Sequence, residues 1–207
     1  MEWRHRIHLS GSQTRCDSTA GFFGNPRAKT VFVAEIPEVS GIDQAVNYLL
    51  DNGRTLDTLW TFNWNWSEGD KLFRKALHYH RFIKEGEDDT PWAWDCWITD
   101  FVKCPTRTQF WSPKKGALDG IRWARKQRIL DESARLLARE LALLDFDKIV
   151  LMGDTVQTWF RRYARKGVLD VPREKWRYVP HYGRKGGRKR EAAFLRDFGE
   201  GIKRRVT

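Results

Sequence analysis

The sequence has no means of building a disulfide framework. It holds three cysteines, Cys16, Cys96 and Cys104, an odd number with no C-x-x-C pair. That argues against a secreted disulfide scaffold and a zinc ribbon, and for a reducing compartment. No apolar run approaches the roughly 18 residues of a membrane helix. Met1-Glu2-Trp3-Arg4-His5 lacks an apolar signal core. A cytoplasmic protein is therefore expected. Neither G-x-G-x-x-G nor G-x-x-x-x-G-K-[ST] occurs, which argues against dinucleotide and Walker-type phosphate binding. There is no internal repeat and no low-complexity segment.

What is present is basic and aromatic. The 207 residues carry a net charge of +11 and 11 Trp. Lys and Arg hold phosphates while aromatic faces stack on unpaired bases, so nucleic acid is the expected partner. The length suits one domain with its own core. Its tail is the only compositional shift, with nine Lys or Arg against three acidic residues after His181.

Apolar runs mark the strands. Thr30 to Ile36, about Cys96 to Val102, Asp147 to Met152 and Trp176 to Val179 read as strands, and most are too continuously apolar to face water. Helical spacing marks Gly41–Leu50, Lys71–Lys84, a long helix ending near Leu144, Val156–Arg165 and Lys189–Arg205. Leu56 to Trp66 is an aromatic strand or extended loop, and residues 1–29 read as mixed loop with at most a short helix. Strands alternating with helices indicate a single α/β domain. The expected fold is a three-layer α/β/α sandwich around a four-stranded, mainly parallel sheet, with 1–29 an extension and 30–205 the core.

In such a sheet the ligand site lies beyond the carboxyl ends of the strands. There the sequence sets Glu35, Asp100, Gly153 and His181. Asp100 interrupts the apolar run Trp97-Ile98-Thr99-Asp100-Phe101-Val102, and a buried strand tolerates a carboxylate only when it is paired or a ligand needs it. His78 and His80, at i and i+2, fall on different helix faces, so surface positions are expected rather than a metal site.

Four segments taken in order, Val33–Gly41, Ile98–Pro105, Ile149–Asp154 and Val179–Gly183, resemble the uracil-DNA glycosylase superfamily, closest to its bacterial and archaeal iron–sulfur branch. That branch has Gly-Glu-Ala-Pro-Gly after its first strand, Thr-Asn-x-x-Lys-Cys-Arg-Pro-Pro in the middle and His-Pro-Ser near its end. Here Ala34 and Glu38 replace the two glycines, Tyr182-Gly183 replace Pro-Ser, and Asp100 replaces the asparagine. Cys104 matches one cluster ligand, and Asp131, Glu132 and Ser133 stand where another cysteine is expected, so neither cluster nor other cofactor or metal is expected.

The resemblance implies a monofunctional DNA glycosylase acting as a monomer, which flips a base and hydrolyses its N-glycosidic bond. It implies Glu35, Asp100 and His181 as catalytic candidates and Asp100, Ile36, Phe62 and Tyr182 around the base. It also implies DNA contacts from Arg184, Lys185, Arg188, Arg107 and Lys114. Asparagine pairs with uracil through a donor and an acceptor, whereas ionised aspartate offers acceptors only. Asp100 therefore favours the exocyclic amine of a cytosine-like base, as in defence against phages with hypermodified DNA, over the family default of uracil repair. The alternative expectation is a catalytically silent member that binds nucleic acid and senses a base without excising it.

Overall fold

The computed structural model describes residues 23–35, 68–87, 91–102, 123–181 and 188–204. Among these the strands are β1 (Phe23–Gly24), β2 (Thr30–Ala34), β3 (Trp97–Asp100), β4 (Lys148–Met152) and β5 (Trp176–Val179). The α-helices are α1 (Glu68–Tyr79), α2 (Trp123–Leu141), α3 (Asp154–Arg165) and α4 (Arg188–Lys203). The sheet order is β1-β3-β2-β4-β5. β3, β2, β4 and β5 are all parallel, and β1 adds two antiparallel residues against β3. The expected parallel four-stranded core is present.

Strand alternation divides the core into two layers. Val31, Val33, Trp97, Ile149, Leu151 and Trp176 face α2 and α3, meeting Leu130, Ala134, Leu137, Val156 and Phe160. Phe32, Ala34, Ile98, Val150, Met152 and Val179 face α1 and α4, meeting Phe73, Leu77, Phe194 and Phe198. Both faces of the sheet are covered, which is why β2 and β4 read as unbroken apolar runs. Among the described residues no helix is long and apolar enough to cross a membrane.

Three local features depart from the sequence expectation. β1 lies in a stretch read as loop. Two residues are too short to show alternation, and the pairing rests on Gly24, where a Cβ would come 2.4 Å from the Cys96 carbonyl oxygen. α1 stops at Tyr79, short of the expected Lys84. Arg81 turns left-handed at φ 62, and the Arg81 and Phe82 amides donate back to His78 and Leu77. This closes the helix in a Schellman turn, with an Arg in the place where Gly is usual. His80 is half-buried rather than surface-lying. Its ring stacks on Phe198, and its Nε2 lies 2.9 Å from the Leu195 carbonyl, tying α1 to α4. Gly41–Leu50 and Leu56–Trp66 lie outside the described residues.

Candidate functional site at the carboxyl edge of the sheet

The helices on either side of the sheet define where a ligand would enter. The chain leaving β2 reaches α1 on one face, and the chain leaving β4 enters α3 on the other. Between β2 and β4 the sheet therefore has a switch point, the place where open parallel sheets take their ligands. Glu35 follows β2 directly, and Gly153 follows β4.

Asp100, the last residue of β3, pairs in register with Ala34. Its neighbours are all core, and Asp100 itself is only 9% exposed. Two backbone bonds tie the chain just past both strands: the Phe101 amide donates to the Ala34 carbonyl at 2.8 Å and the Val102 amide to the Glu35 carbonyl at 3.0 Å. Glu35 and Asp100 thus stand on adjacent chain segments one position out of register, since Asp100 pairs with Ala34. Glu35 is half-buried and Asp100 buried, so one carboxylate sits nearer solvent than the other.

His181 reaches this edge from the far strand. β5 ends at Val179, whose carbonyl accepts from the Gly153 amide at 2.9 Å, and His181 then lies against Gly153. A Cβ on residue 153 would come within 2.9 Å of the His181 Cβ and 3.3 Å of its ring Cδ2. Gly153 also adopts φ 87, ψ 158, a region in effect reserved for glycine. Residue 153 is thus glycine on two counts, and the imidazole is held over β4, the strand next to Glu35, while staying exposed. At the mouth of α3, Asp154 accepts from the Tyr178 hydroxyl at 2.7 Å. Burial first, then that hydrogen bond, pushes the Tyr178 phenol up to about 12.

Of the expected site residues, Glu35, Asp100 and His181 gather along this one edge. Ile36, Phe62, Tyr182, Arg107, Lys114, Arg184 and Lys185 lie outside the described residues. Arg188 opens α4. Among the described residues, no three His, Cys, Asp or Glu side chains group to hold a metal ion.

One residue was missed. Glu140, near the end of α2, is 9% exposed, and its two carboxylate oxygens accept from Trp97 Nε1 at 2.7 Å and Thr99 Oγ1 at 3.1 Å. The signal was available, because Glu140 is three residues past Leu137 on the apolar stripe of α2, where a solvated Glu does not belong.

Two carboxylates and an imidazole along one sheet edge are the kinds of group that polarise a sugar–base bond, orient water and donate to a leaving oxygen. No protein-family model and no curated protein matches this chain.

Proposed function

We propose that the protein is a monofunctional DNA glycosylase that works as a cytoplasmic monomer on a flipped pyrimidine. The observation that supports it most is the placement of Glu35, Asp100 and the glycine-seated His181 along the carboxyl edge of one parallel sheet. The net charge of +11 supports a polyanionic substrate. A base removed from the stack docks at that edge of the sheet. As the bond from the sugar C1′ to the base nitrogen breaks, its electron pair leaves with the base. The Glu35 carboxylate stabilises the oxocarbenium-like sugar and takes a proton from the water that attacks C1′. His181 donates a hydrogen bond to the oxygen of the departing base. Asp100 accepts from the exocyclic amine of a cytosine-type base and repels uracil O4. The favoured target is a modified cytosine, with phage DNA as its source.

The test is incubation with duplex and single-stranded DNAs carrying uracil, hypoxanthine or modified cytosines, with released bases read by mass spectrometry. Release of a modified cytosine supports the reading. Release of no base, with DNA still tightly bound, overturns it in favour of a silent base sensor. Asp100→Asn is expected to move preference towards uracil, and an unchanged preference removes Asp100 from base recognition.

A further inference from the structure

Asp100 is presented by β3, a strand buried between the two helical layers. β2 pairs with it along one side and, among the described residues, Phe23 and Gly24 of β1 pair with it on the other. Backbone pairing fixes the register of such a strand, and side-chain hydrogen bonds impose a geometry that apolar packing alone does not. Trp97 and Thr99 project from the face opposite Ile98 and Asp100, since alternate residues point to opposite faces. Both donate to the same buried carboxylate, Glu140, one to each oxygen. Hydrogen bonds to an ionised acceptor are about twice as strong as neutral ones. Two of them at residues i and i+2 grip β3 at two points along its length.

We infer that Glu140 is a positioning residue. From behind the sheet it clamps β3 through Trp97 and Thr99 and so sets where Asp100, one residue further on, meets the ligand. The backbone rungs just beyond the clamp, Phe101 to Ala34 and Val102 to Glu35, join the two carboxylate-bearing strands and report on it directly. This inference rests on the glycosylase reading for its kinetic consequence but not for its structural one.

The experiment compares the full-length wild type with Glu140→Gln, which preserves volume but replaces one acceptor oxygen by an NH2 group that cannot accept. Amide hydrogen exchange at Phe101 and Val102 is expected to quicken about tenfold relative to the Gly153 amide, which bonds to Val179 across the sheet. On the released-base assay the preference for a cytosine-type base over uracil is expected to fall about tenfold, because a displaced Asp100 loses both its bond to the exocyclic amine and its repulsion of uracil O4. Thr99→Val removes one donor only. It should give a smaller change at the same two amides, and it carries the test if Glu140→Gln does not fold. Equal acceleration at Phe101, Val102 and Gly153, or no acceleration, overturns the clamp, as does an unchanged base preference. If the wild type releases no base, the glycosylase reading falls, and the exchange data still decide the clamp.

Discussion

The two faces of the sheet are filled by different means. Towards α1 and α4 the middle of the layer is aromatic and dry, with Thr30 and Asp100 on that face at the strand ends. Phe32 stacks on Phe198 at 5.7 Å and meets Phe82 edge-on at 5.1 Å and Phe73 at 5.7 Å. Towards α2 and α3 polar groups are built into the layer. Glu140 holds Trp97 and Thr99, and Asp131 accepts from the Tyr163 hydroxyl at 2.7 Å and from Gln127 at 2.8 Å. Apolar packing is strong and non-directional, whereas hydrogen bonds contribute less to stability and impose geometry. The dry face should therefore carry more of the folding energy, and the polar face more of the orientation of the strand ends.

The largest expected effect lies on the dry face. Phe198→Ala removes a fully buried ring that touches Phe32, Phe73, Phe194 and His80. It should cost about 3–5 kcal/mol in urea unfolding. Base release per folded molecule should stay near that of the wild type. A loss of turnover larger than the loss of folded protein would break the division between the faces.

Gly153→Ala, at the edge where the two faces meet, comes next. The left-handed backbone costs about 1–3 kcal/mol for a residue with a Cβ. That Cβ also drives His181 from its seat. Stability should fall by that amount while kcat falls about a hundredfold. A variant with wild-type turnover would remove His181 from the chemistry and leave Gly153 as a turn residue only.

A smaller effect is expected from the polar face. The Tyr163 hydrogen bond, followed by the Gln127 bond and the nearby Lys166, outweighs burial and holds the Asp131 carboxyl below its ordinary value. A depressed carboxyl stabilises the fold above its unfolded pKa and loses that contribution as pH falls through the folded one. Tyr163→Phe should thus cost about 1 kcal/mol at pH 7. The gap from wild type should narrow as pH drops below about 4, the unfolded value. A gap that stays constant to low pH would assign the loss to packing of the ring, not to the bond.

How much was legible in the sequence follows the same division. Thr30–Ala34 and Lys148–Met152 announced themselves because burial on both faces leaves an unbroken apolar run. The residues just after such runs, Glu35 and Gly153, were placed at the sheet edge for the same reason, as was His181 after Val179-Pro180. Contacts between distant segments left no local trace. The seat of His181 on Gly153, the ring of His80 on Phe198 and the β3-β2-β4 crossover depend on where helices pack, which no single window records. The end of α1 was hidden because Arg81 takes a conformation that the sequence would assign to Gly. Glu140 was legible in principle, as a carboxylate on an apolar stripe, but only its partners on β3 give it a role.

The smallest effect sharpens the comparison at high pH. The phenols of Tyr163 and Tyr178 are each pushed up to about 12, burial first and then a hydrogen bond to Asp131 or Asp154 respectively. A tyrosine whose folded pKa is raised stabilises the fold fully below its unfolded value near 10 and loses that contribution as pH climbs towards 12. Both hydroxyls lie on the α2 and α3 side, so alkaline pH should loosen that layer while the rings around Phe32 stay packed. Tyr178→Phe should flatten the stability profile between pH 10 and 12 by on the order of 1 kcal/mol, because its half-buried hydroxyl is partly screened by water. Urea midpoints from pH 9 to 12 measure the slope, and the ring NMR signals of Phe32, Phe73 and Phe198 follow the dry face. Phenylalanine signals that collapse together with the midpoint would mean that the two layers unfold as one unit. The difference between the faces would then concern geometry alone.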